Sequence, residues 1–347
     1  MAAPTFTAQT MNDIVLATQY HLGRLKFQQI AQSLTHYEVW TKWFKKDRVT
    51  FDSGQGIQRT LMTKIDSAAA AHVGYLQEDE VNIIDVLSRL QIPWRHATTH
   101  WGLVYQTDVL MNSAEALVVN VLKPRRMAAL LALVELLENA AWAAPPSSDD
   151  ETEPFGLPYW VVTNTSTGFN GGAASGHTTV GGVSMTAVPA FKNYTAQYTA
   201  VSKADLIKKM RTAHRACRFI SPITVDDYRG SAGERYRVYV NEATISDIED
   251  VGEASNDNLG RDIASMDGTM VFRKHPIVHV PKLDENTSNP LYMIDHSTFY
   301  PVILKGDYLR ESEPQKAPNQ HNAYQVFVDL SYNYLCLDRR RNAAFTK

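Results

Sequence analysis

Apolar and polar positions divide the chain into stretches of different period. Up to residue 50, aromatics stand beside basic residues, with Phe27, Tyr37, Trp40, Trp43 and Phe44 next to Lys42, Lys45 and Lys46. Their spacing predicts a helical stretch over residues 13–43, broken at Gly23. From Arg48 to Gln106 short β-prone runs are punctuated by Gly54, Gly56 and Pro93. That pattern predicts a long hairpin-like excursion around the small-residue patch 68–71. Asn112 or Ser113 followed by Glu115 opens the strongest helical signal, SAEALVVNVLKPRRMAALLALVELLENAAWAAPP, which stops at Pro145. Leu117, Val121, Leu130, Val134 and Leu137 recur there as one apolar stripe, leaving Arg125, Arg126, Glu135 and Glu138 for water or another chain. Pro124 lacks a backbone donor and clashes with the preceding turn, which predicts a kink or a boundary at residues 120–123.

Beyond the helix, PPSSDDETEP is a surface loop by composition, and FGLPYWVVTN predicts a strand bounded by Pro158. GFNGGAASGHTTVGG invites a phosphate-loop reading but fails it. No Lys-Ser or Lys-Thr follows the glycines and no periodic helix starts there, so the segment is expected to be a flexible loop. KADLIKKMRTAHRACRF predicts an amphipathic helix with Leu206, Met210, Ala213 and Cys217 inward and Lys208, Lys209, Arg211 and Arg215 outward. Its basic face suits solvent or another subunit, with nucleic acid as the sharper alternative. The remainder alternates short strands and loops: RYRVYVN, TMVFRKHPIVHVPKL, NPLYMIDHSTFYPVILKG and QVFVDLSYNYLCLD. The fold class is therefore α+β.

With 347 residues, 44% of them hydrophobic and 20% charged, the chain has ample core material. Lys+Arg 34 against Asp+Glu 37 gives a net charge of -3, which excludes a whole-surface polycation for nucleic acid and leaves room for a local patch. Cys217 and Cys336 alone make neither a disulfide framework nor a zinc site, and a reducing compartment fits. The N-terminal run lacks a secretory signal, so the sequons at Asn164, Asn193 and Asn286 read as chance matches. The most membrane-like run is interrupted by Glu135, Glu138 and Asn139, against a spanning reading. Asp295, His296 and Ser297 stand side by side, but in a strand His296 and Ser297 point to opposite faces and cannot share a proton. His96 and His100 lie in a β-prone stretch, and neither an HExxH nor a cysteine pair occurs, so no catalytic, metal or cofactor residues are assigned.

Several strings together resemble the major capsid proteins of tailed double-stranded DNA phages with the Hong Kong 97-like fold. They are FDSGQGIQRTLM, IPWRHATTHWGLVY, the helix opening at Asn112, HPIVHVPKLD, NPLYMIDHSTFYPVILKGDYLRES and QHNAYQVFVDLSYNYLCLDRRRNAAF. The resemblance implies an N-terminal arm at 1–50 and an extended loop (E-loop) at 51–111. It implies a peripheral (P) domain at 112–217, with a spine helix at 112–142 and a loop-rich insertion at 145–200. An axial (A) domain at 218–316 and a return to the P domain at 317–347 complete it. The sequence shows no long coiled-coil segment ahead of the arm, so the internal scaffolding domain of some family members is expected to be missing.

The function so implied is structural: a subunit that self-assembles into hexamers and pentamers of an icosahedral head around DNA, with no enzymatic step. Implied partners are further copies of the chain, a portal, scaffolding and cement proteins, and packaged DNA held by weak non-specific contact, with no membrane. The implied location is the virion, after assembly in the cytoplasm of a bacterial host. On this reading Trp40, Trp43, Trp94, Arg95 and Trp101 are the candidate intersubunit contacts, against burial within one subunit for the tryptophans. Arg339, Arg340 and Arg341 are the candidate DNA- or scaffold-facing patch, against intersubunit salt bridges. Removal of residues 1–45 is expected to block shell formation and leave a folded body. A nanocompartment shell subunit of the same fold and a soluble α+β hydrolase are the alternatives.

Overall fold

A computed structural model of the chain describes residues 36–52, 54–64, 72, 84–104, 115–217, 235–253, 270–273, 275–318, 320 and 322–347, with residues 115–122 and 253 by backbone alone. Most of the expected arm, the patch 68–71, the helix start at Asn112 or Ser113 and the segment 218–234 lie outside the described residues.

Along the chain, α1 (Val39–Asp47, wound as a π-helix) leads into β1 (Val49–Phe51), β2 (Gly56–Met62), β3 (Leu87–Pro93) and β4 (Arg95–Val104). Next come α2 (Glu115–Ala141), the single turn α3 (Leu157–Trp160), β5 (Gly168–Gly171), β6 (Thr179–Val180), β7 (Val183–Ser184), β8 (Asn193–Gln197) and α4 (Leu206–Cys217). Then follow β9 (Tyr236–Val240), α5 (Glu242–Glu253), β10 (Val271–Phe272), β11 (His275–His279), β12 (Leu291–Asp295) and β13 (Phe299–Leu304). β14 (Arg310–Glu311), β15 (Gln315–Lys316), β16 (Ala323–Cys336) and β17 (Ala343–Thr346) complete the chain.

The first sheet is built on β16, whose length lets it pair antiparallel with β13 at one end and with β4, β14 and β15 at the other. β1 adds to β13 in parallel. β4 runs beside β16 from Arg95↔Tyr332 to Val104↔Ala323, so residues 95–104 belong to the body of the molecule and not to the extended excursion expected there. α2 lies on β4, with Thr99 Oγ1 donating to the Ala129 carbonyl at 3.3 Å. It buries Ala129, Leu133, Leu137 and Ala141 at helical spacing, and it passes through Pro124 without the expected boundary. One missing donor is tolerable where the other turns of a long, packed helix hold.

The second sheet has the order β10-β11-β9-β12-β17-β8-β5. Strand alternation divides its residues between two cores. Tyr194, Ala196, Val238, Val240, Leu291, Ala343 and Phe345 face one side and pack against Leu206, Met210, Ala213 and Cys217 of α4 and Ile248 of α5. Tyr239, Tyr292, Ile294 and Ala344 face the other side and join the core that holds Trp43, Trp142 and the first sheet. The four residues expected on the buried face of α4 are buried, and His214 joins them. Two expected boundaries shift. Residues 193–217 pack in this second core and not with the spine helix, whereas residues 299–304 lie in the first sheet and not with 218–295.

Three local differences have plain causes. FGLPYW is a helical turn, because Pro158 occupies a first-turn position where its fixed φ suits a helix. Helix α5 was missed. Asn241 caps it by accepting from the Thr244 N–H at 3.2 Å, but its acidic composition hides a short Ile245/Ile248 stripe. Finally, β2 and β3 form a two-stranded ribbon of their own, from Gly56↔Pro93 to Met62↔Leu87. Its base is held by buried Ile57, Leu90 and Ile92, and by the Gln91 N–H donating to the Gly181 carbonyl at 2.9 Å. Gly181 has φ +57, and a Cβ there would strike Leu90.

Candidate functional site

Trp43 sits where α1, α2 and both sheets meet. Its ring lies 5.1 Å from Phe299, 5.2 Å from Trp142 and 5.9 Å from both Tyr239 and Tyr334, mostly edge to face. Its Nε1–H donates to the Tyr239 hydroxyl at 3.0 Å. At 0% exposure it has no surface for a neighbour, so its assignment as an intersubunit contact is corrected: its apolar area is spent inside the subunit.

Around Trp43 runs a buried polar junction that sequence reasoning missed. Arg237 donates to Glu38 Oε1 at 2.5 Å, and the Tyr239 hydroxyl is 2.7 Å from His296 Nε2. Glu138 accepts from the Val39 N–H at 2.9 Å and from Trp142 Nε1 at 3.2 Å. Burial raises the Glu138 carboxyl to about 7, and these two donors hold it from going higher. Lys42 lies 3.8 Å from Asp47, which is also 3.8 Å from His296 Nδ1. The junction thus ties the last turns of the N-terminal segment to the end of α2 and to β9. A weak sign of it was in the sequence: Glu138 follows Leu137 in the apolar stripe and stands one helical turn from Trp142.

The other candidates separate. Trp40 is half-buried and stacks on Phe44 at 6.2 Å. Trp94 is half-buried and donates to the Gly54 carbonyl at 2.9 Å, which fastens the ribbon base. Trp101 is half-buried against the main core. Arg95 is 7% exposed and donates to the carbonyls of Asp150 at 2.5 Å and Glu153 at 2.9 Å, so it pins the acidic loop of its own chain, and burial lowers its pKa.

The expected patch of three arginines does not form. Arg339 is 0% exposed and donates to the carbonyls of Trp160 at 2.5 Å and Gly172 at 2.7 Å and to Asn193 Oδ1 at 3.0 Å. Neutral acceptors replace water without a compensating anion, and desolvation lowers the guanidinium to about 10. The side chain anchors the glycine-rich segment to the C-terminal turn. A Cβ at Gly171 would overlap the Asn193 amide that shares this arginine, which explains a glycine there. Arg341 turns toward Asp338 at 3.4 Å and Asp295 at 3.7 Å, leaving Arg340 exposed over the Phe169 ring at 4.5 Å.

The Asp295, His296, Ser297 run has the geometry of an anchor. Asp295 receives Arg235 Nε at 2.8 Å and the Ser297 hydroxyl at 2.7 Å, while His296 points to Tyr239. The serine has a carboxylate at hand in place of the imidazole base that nucleophilic catalysis requires. Among the described residues, no group of three or more His, Cys, Asp and Glu converges as a metal would need. Both cysteines are free and buried, and burial raises the Cys217 thiol to about 12. Among the described residues, no helix is long and apolar enough to cross a membrane.

Among the described residues, the exposed large apolar side chains stand in pairs on the ribbon and on α2, and singly at Val104 and Val271. Met62 (71% exposed) and Leu87 (54%) face each other across the ribbon, far from its buried base. On α2, Met127 and Leu136 are exposed, nine residues apart and so on opposite flanks of the buried stripe. A two-stranded ribbon is marginal alone in water, and a helix apolar on both faces expects cover on both.

No protein-family model matches the sequence, and none of the curated proteins matches it. Solved structures do. The capsid chain of Cyanophage A-1(L) matches with a TM-score of 0.63 at 13% identity, over 92% of this chain and 95% of that one. A capsid chain of an empty GTA particle gives 0.51 at 12% over 92% and 99%, and one of a native GTA particle gives 0.50 at 13% over 95% and 98%. The chain has the α+β fold of these capsid chains, the Hong Kong 97-like fold that the sequence resemblance implied.

Proposed function

We propose that this chain is the major capsid protein of a tailed phage, a structural subunit that self-assembles into the icosahedral head enclosing double-stranded DNA. The observation that carries this is the whole-chain likeness to a phage capsid chain, with 92% of this chain covered. The ribbon β2–β3 and the exposed apolar residues on the flanks of α2 supply the physical means. Apolar surface left on an element that cannot stand alone is stabilised by a neighbour. In this reading residues 56–93 are the extended loop and residues up to about 35 the arm. The first sheet with α2 is the peripheral domain, and the second sheet with α4 and α5 is the axial domain. Met62, Leu87 and the half-exposed Trp40, Trp94 and Trp101 meet other copies. The partners are other copies of the chain in hexamers and pentamers, a portal, scaffolding and cement proteins, and DNA held loosely. Assembly takes place in the host cytoplasm, and the work is mechanical, with no catalytic step.

Negative-stain electron microscopy of the purified chain, and of lysates of expressing cells, tests this. Closed shells or five- and six-membered rings are expected. Discrete monomers under all conditions sink the proposal. Shells that close around protein, with no portal and no nucleic acid, turn it to a nanocompartment.

A further inference from the structure

The second sheet carries two helices of opposite charge on one face. α4 presents Lys208, Arg211 and Arg215 to solvent at spacings of three and four residues, within one narrow arc. α5 presents Asp247, Glu249 and Asp250 to solvent and carries no basic residue. Among the described residues, none of these six helix side chains has an ion-pair partner, although the chain forms many ion pairs elsewhere. Among the described residues, no ion pair joins the two helices within one chain. α4 lies on β8 and α5 beside β11, with β9, β12 and β17 between those strands.

We infer that the basic stripe of α4 docks on the acidic face of α5 in a second copy of this chain. This inference rests on the shell reading and names a surface by which neighbouring subunits recognise each other. Complementary surfaces at two different places on one unit make a head-to-tail contact, and such a contact closes into a ring when its rotation allows. Nucleic acid is the other polyanion that a basic stripe could hold. The complementary acidic face on the same unit and the net charge of -3 favour a copy of the chain. Exposed pairs of this kind set register and rate more than strength, so the ribbon and α2 supply most of the affinity.

Charge swapping tests it. Each triple reversal, Lys208→Glu/Arg211→Glu/Arg215→Glu or Asp247→Lys/Glu249→Lys/Asp250→Lys, is expected to keep the melting profile of the dissociated subunit and to weaken association at least about tenfold by sedimentation. The chain carrying both reversals is expected to assemble again. An equimolar mixture of the two single-face variants is expected to form six-membered but not five-membered rings, because unlike partners must alternate. If wild type assembles and either reversal assembles equally well, or the doubly reversed chain does not recover, the inference falls and the shell reading stands. Normal assembly with loss of retained DNA in the α4 reversal assigns the stripe to nucleic acid and overturns it. Wild type that never assembles removes the shell reading, and the inference with it.

Discussion

Glu138 occupies the interior of the molecule with two N–H donors on its oxygens, and burial lifts its carboxyl from the ordinary 4.5 to about 7. The folded chain therefore keeps a proton that the unfolded chain releases between about pH 4.5 and 7. Stability from this group is full below about pH 4.5 and falls as pH rises through that window, by up to roughly 3 kcal/mol. Glu138→Gln, which cannot ionise, is expected to flatten that decline, as read from urea midpoints of the dissociated subunit at pH 5 and pH 7.5. An unchanged slope would place the ionisation elsewhere in the junction. The same reasoning separates the three C-terminal arginines. They are alike in sequence, yet one is an internal anchor, one is ion-paired and one is exposed, because the turn at 339–341 points consecutive side chains in different directions.

At the scale of elements, strands and helices whose pattern was strong formed where expected. α4 is the clearest, since its stripe is strict and its polar face continuous. α2 was legible in extent but not in orientation: a helix with apolar residues on every side does not announce which side is buried, and Glu138 was misplaced for that reason. The ribbon β2–β3 was visible as β-prone runs, but its separation from β4 depends on β16, more than 200 residues away in the chain. Its outer end leads to a prediction. Replacing Met62 and Leu87 by Ser is expected to change subunit stability by less than about 0.5 kcal/mol, since both are exposed. Shell yield, measured by sedimentation, is expected to fall sharply.

At the scale of the whole molecule, α1 packs into the core where the two sheets meet. Removal of residues 1–45 would take Trp43 and Phe44, both 0% exposed, at about 3–5 kcal/mol each, against a total stability of about 5–15 kcal/mol for a typical domain. The expectation that such a truncation leaves a folded body is therefore revised. The safe cut is before α1: a chain starting at His36 is expected to melt cooperatively like the full chain and to fail to close shells. Gel filtration and electron microscopy of the two truncations check both halves of that statement.

Local periodicity, charge balance and quoted strings were sufficient to set the α+β class, the long helix, the basic amphipathic helix and the likeness to phage capsid chains, because each depends on neighbours close in sequence. Tertiary structure alone decided which tryptophans are internal, that Arg339 is an anchor, that residues 193–217 and 299–304 exchange sheets, and that a carboxylate of α2 meets the backbone of Val39. Those outcomes follow from strand pairings and burial between segments distant in the chain. Whether an aromatic or a charge is buried depends on what the fold brings against it, and no window of local sequence carries that information.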